Sequence, residues 1–72
     1  MGSAFMLGIE LVKLATKHGW QDRGPGGSHP YVLTKSGCRP VPVRDKLQNS
    51  NEVRGLLKQL DIPRPDWPAK VR

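Results

Sequence analysis

The chain is short of several features on which large protein classes depend. A single cysteine, Cys38, cannot form an internal disulfide, which excludes the disulfide-stapled miniproteins and suits a reducing compartment. Only four aromatic residues are present (Phe5, Trp20, Tyr31 and Trp67), and 36% hydrophobic content in 72 residues leaves little apolar material for a large enclosed substrate cavity. No run approaches the roughly 18–20 apolar residues of a membrane span, and the start lacks a basic region followed by an apolar stretch and cleavage site. A cytoplasmic protein with no membrane partner is the expectation. Neither Cys-x-x-Cys nor His-x3-His spacing links His18, His29 and Cys38, so no metal is expected. Gly24-Pro25-Gly26-Gly27 lacks the downstream elements of a phosphate-binding P-loop or a dinucleotide fingerprint, and no cofactor is implied. No carboxylates are paired closely enough for glycoside hydrolysis.

Negative charge is also scarce. Six Asp and Glu stand against twelve Lys and Arg, giving a net charge of +6, and the basic residues are spread along the chain with no acidic block to offset them. Such a balance is the electrostatic footprint of a nucleic-acid binder, because each phosphate neutralised releases counterions. A solvated basic surface that only keeps the protein soluble is the alternative reading of charge alone. At this length one small domain is the limit.

What is present falls into a simple order. In residues 7–18, Leu7, Leu11, Leu14 and Ala15 recur at helical spacing while Glu10, Lys13 and Lys17 lie opposite, which predicts an amphipathic helix. Gly19 supplies the left-handed residue that ends such helices, and Trp20 is placed to pack back on the last turn. His18 lies within the apolar arc and is read as structural. Three glycines and two prolines between Trp20 and Tyr31 leave room only for a short strand near residues 20–23. Tyr31-Val32-Leu33-Thr34, a turn at Lys35-Ser36-Gly37, and a return strand over residues 39–43 then predict a hairpin. Pro40 and Pro42 turn their missing donors to the same side, which suits a sheet edge.

Asn49 and Glu52 resemble a capping box, and Val53, Leu56, Leu57 and Leu60 form the stripe of a second helix, stopped by Pro63. Residues 63–72 are expected to be a proline-rich, extended and largely irregular tail. Within it, Trp67 either folds back on the domain or meets a partner, with folding back favoured because an exposed indole is costly. The organisation is thus an N-terminal extension (1–6), a domain (7–62) and a tail (63–72). The fold class is α+β: an α-β-β-β-α order, like that of double-stranded-RNA-binding domains, with a three-stranded antiparallel sheet packed against two helices.

Several segments together narrow this further. Leu11-Val-Lys-Leu-Ala-Thr-Lys-His-Gly-Trp20, Gly27-Ser28-His29, Tyr31, Val41-Pro42-Val43 and Leu56-Leu57-Lys58-Gln59 resemble, in order, the HicA family of toxins. That family has a first helix ending in Gly-aromatic, a Gly-Ser-His motif about seven residues later, a Val-Pro strand and a closing helix near Lys-Gln. The resemblance covers residues 7–62 and implies a metal-independent endoribonuclease, an mRNA interferase neutralised by a cognate HicB-like antitoxin. It also implies that His29 is the catalytic residue.

The chemistry fits a lone histidine, a side chain suited to taking a proton from a ribose 2′-hydroxyl so that the oxygen attacks the neighbouring phosphate. Gly27 and Ser28, with Gly26, would bring backbone N–H groups and a hydroxyl to a phosphate, while Lys35, Arg39 and Arg44 would hold the RNA and stabilise developing charge. Pro30 restricts His29 to extended backbone. Two alternatives belong to other classes: a non-catalytic RNA-binding module of the same fold, and a small protein-interaction adaptor docking through Trp67.

Overall fold

The computed structural model describes residues 4–72; Met1, Gly2 and Ser3, part of the expected extension, lie outside the described residues. Five strands and two helices follow in the order β1 (Met6–Leu7), α1 (Gly8–Thr16), β2 (Gln21–Asp22), β3 (Tyr31–Thr34), β4 (Val41–Val43), β5 (Lys46–Leu47) and α2 (Ser50–Gln59). Strands β2, β3 and β4 form an antiparallel sheet in that order, with Gln21 opposite Thr34, and Tyr31, Val32 and Leu33 opposite Val43, Pro42 and Val41. Pro42 therefore stands at a position whose N–H points away from β3, so the edge strand loses no ladder bond to it.

Local chemistry sets the end of α1 and the start of α2. At the end of α1, Gly19 takes φ +90°, its N–H donates to the Thr16 carbonyl, and the Trp20 N–H reaches the Ala15 carbonyl. This is the Schellman arrangement, and it turns the chain into β2. Helix α2 starts where Asn49 Oδ1 accepts from the Glu52 N–H at 2.9 Å, while Glu52 Oε1 reaches past the cap to accept from the Gln48 N–H at 2.8 Å. Its end was expected at Pro63. The chain turns earlier, at Asp61, which adopts φ 55° while the Ile62 N–H donates to the Leu57 carbonyl.

The core lies on one face of the sheet. Leu33, Val41 and Val43 pack with Leu11, Val12 and Ala15 of α1 and with Val53 and Leu57 of α2, all fully or almost fully buried. Trp20 closes this layer, and its Nε1 donates to the Leu60 carbonyl at 3.0 Å, tying the end of α1 to the end of α2. Removing the indole thus takes away both buried area and the partner of a buried carbonyl.

Three departures from the expected organisation come from contacts between residues distant in sequence. Met6, within the expected extension, is buried and pairs with Leu47 in the two-stranded β1–β5 sheet, and the Gly8 N–H donates to the Asp45 carbonyl at 2.7 Å. The connection from the hairpin to α2 contains strand β5, with Leu47 fully buried. Residues 63–72 are not extended: they form two short 3-10 turns, Arg64–Asp66 and Ala69–Val71. Trp67 and Val71 enter the common core, and Trp67 Nε1 donates to the Ile62 carbonyl at 2.8 Å. Trp67 therefore folds back onto the domain, because the core offers a site for the ring and an acceptor for its N–H. Among the described residues, no helix is long and apolar enough to cross a membrane.

Candidate active site

The Gly-Ser-His segment is a tight turn. Gly26 and His29 exchange both backbone hydrogen bonds, at 2.9 and 3.0 Å, leaving Gly27 and Ser28 as the two central residues. Gly27 takes φ +58°, the conformation that a two-residue hairpin of the II′ class requires at its first central position. The turn leans on the outer face of the sheet. A Cβ on Gly26 would lie 2.7 Å from Val32 Cγ2, so only glycine lets the loop approach this closely. An Asx turn, in which Asp22 Oδ1 accepts from the Gly24 N–H at 2.8 Å, fixes the start of the loop.

With its backbone fixed in this way, His29 is half-buried and lines a groove of about 350 Å³ between β4 and α2. Pro42 and Arg44 form one wall, and Asn51, Glu52, Gly55, Leu56 and Gln59 form the other. Arg44 Nε lies 3.7 Å from Glu52 Oε2, and the Arg44 side chain is 66% exposed, so most of its guanidinium faces solvent at the rim. The groove thus combines an imidazole, a guanidinium suited to phosphate oxygens, the Glu52 carboxylate beside that guanidinium, and neutral amides.

The sequence-derived site residues do not all gather there. His29 and Arg44 share the groove, and Gly27 and Ser28 are exposed on the turn immediately before His29. Lys35 and Arg39 stand at the opposite end of the β3–β4 hairpin. At about 3.3 Å per residue, Tyr31 and Lys35 alone are roughly 13 Å apart. Lys35 places Nζ 5.9 Å from the centre of the Trp20 ring and lines a separate shallow surface with Gly19, Gln21, Thr34 and Ser36. The hairpin register separates these two basic residues from the His29 groove. His18, read as structural, is half-buried and lies 3.3 Å from Asp66 Oδ2, joining the end of α1 to the C-terminal segment.

Sequence reasoning missed the α2 wall. Asn51, Gly55 and Gln59 recur at intervals of four, a polar and small stripe beside the apolar one, and that spacing was the available signal. Nothing local indicated that β4 would face it. Among the described residues, no group of three or more His, Cys, Asp and Glu side chains converges as a metal would need. No protein-family model, curated protein or solved structure matches this chain.

Proposed function

We propose that this protein is a cytoplasmic HicA-like endoribonuclease that cleaves messenger RNA without a metal, with His29 as general base. The single observation that carries the reading is the placement of His29: a half-buried imidazole on a backbone-locked turn, lining a groove with an exposed guanidinium, Arg44, at its rim. The α-β-β-β-α order of the larger sheet and its helices supports a fold of the double-stranded-RNA-binding type, and the net charge of +6 supports attraction to a polyanion.

In this mechanism His29 accepts the 2′-hydroxyl proton as the 2′-oxygen attacks the adjacent phosphorus. The bond to the 5′-oxygen breaks, and that oxygen takes a proton from solvent. The products are a 2′,3′-cyclic phosphate and a 5′-hydroxyl. Arg44 neutralises charge gathering on the phosphate oxygens, and Ser28 with the turn's backbone N–H groups assists from the other side. The partner in regulation is a HicB-like antitoxin that covers the basic face.

The test is incubation with a long single-stranded RNA in EDTA, beside His29→Ala, with end-group mapping. Cleavage that is lost in the variant and leaves cyclic phosphate ends supports the proposal. RNA that is bound and shifted on a native gel but never cut moves the reading to a non-catalytic RNA-binding module. Affinity that is weak and barely falls with salt moves it to a protein-interaction adaptor.

A further inference from the structure

We infer that the α2 wall of the His29 groove is a subsite for one unstacked nucleobase of single-stranded RNA, read through the side-chain amides of Asn51 and Gln59. This rests on the ribonuclease reading above and adds to it a determinant of sequence preference. The first observation is Gly55. It sits inside α2, where glycine weakens a helix relative to alanine, yet it has no positive φ and a Cβ there would meet nothing within 4 Å. Neither the backbone nor close packing requires this glycine. Its missing side chain leaves space in the groove, between Asn51 and Gln59 one turn to either side.

The second observation is the polar inventory. Among the described residues, neither the Asn51 nor the Gln59 amide takes part in a side-chain hydrogen bond. Each offers a donor and an acceptor together, the combination that matches base edges. Leu56 and Pro42 supply apolar surface for the flat face of a ring, and Arg44 stands at the rim where a backbone phosphate would follow. The groove volume of about 350 Å³ suits one nucleotide rather than a duplex, whose bases are stacked and whose edges are not available to a cleft of this size. His29 lines the same groove, so the nucleotide held there flanks the bond to be cut.

The experiment titrates the four ribonucleoside 3′-monophosphates separately into the full chain and follows the Asn51 and Gln59 side-chain amide resonances. One base should bind roughly tenfold or more tightly than the weakest, the discrimination that a paired amide contact provides. The double variant Asn51→Ala/Gln59→Ala should bind all four alike. Gly55→Leu, a change that favours the helix while filling the space, should abolish binding with the fold retained by circular dichroism.

Equal binding of all four by the parent chain, no binding at all, or unchanged binding by Gly55→Leu overturns the inference. Base-selective binding in a chain that cuts no RNA leaves the subsite standing and removes the ribonuclease reading. Cleavage without base selectivity does the reverse.

Discussion

Two stretches of this small protein look alike in sequence and end in opposite situations. Residues 24–29 and 63–72 are both broken up by glycine or proline, and neither carries a periodic apolar pattern. The second nevertheless becomes core. Trp67 and Val71 are buried, and Arg54 Nε and Arg72 Nη2 each donate to a carbonyl of the segment. Lys70 Nζ donates to the Phe5 carbonyl and lies 4.8 Å from the Phe5 ring, so the end of the chain clasps its beginning. The first stretch buries no side chain fully and is held by the paired backbone bonds of Gly26 and His29 and by the Asp22 carboxylate, which accepts from the Gly24 N–H. An irregular segment with apolar anchors is drawn into the core. One without them is placed by its turn geometry and keeps its side chains free for chemistry.

Substitutions in the two segments can break or sharpen this contrast. Trp67→Ala should cost about 3–5 kcal/mol, a large share of the stability of a domain this size, measured by urea unfolding. Gly26→Ala should cost about 1–3 kcal/mol, because its methyl meets Val32 Cγ2 at 2.7 Å, and combining it with Val32→Ala should recover part of the loss. If that pair proves additive, the loop does not rest on Val32. Asp66→Asn, which weakens the partly exposed contact with His18, should change stability by less than about 1 kcal/mol in the same assay.

His29→Ala should have the smallest effect on unfolding, about 0.5 kcal/mol or less, while lowering RNA cleavage by roughly 10²–10⁴-fold. A large loss of stability in that variant would make His29 a structural residue and erase the contrast with Trp67.

Much of the architecture was legible because it depends on near neighbours. Leu11 and Ala15 marked the buried face of α1, Gly19 its end, Asn49 with Glu52 the start of α2, and Gly37, with φ +80°, the hairpin turn. Pro42 identified an edge strand through a donor it does not have. The candidate site was legible only in part. Gly27-Ser28-His29 stood out as a motif, whereas the division of Lys35 and Arg39 from Arg44 follows from a register no local pattern specified. Asp61 ends α2 in a conformation that glycine usually takes, a choice made by the docking of Ile62 and the residues after it rather than by propensity.

By itself the sequence determined two helices, a three-stranded antiparallel hairpin sheet, a strongly basic chain and a glycine turn presenting one histidine. Each of these depends on contacts within a few residues. Only the tertiary structure decided that Met6 would pair with Leu47 and that Trp67 and Val71 would complete the core. It also decided that Asn51, Gly55 and Gln59 would face His29 across a groove. Those outcomes rest on burying apolar surface between distant parts of the chain, a free energy that no single segment contains.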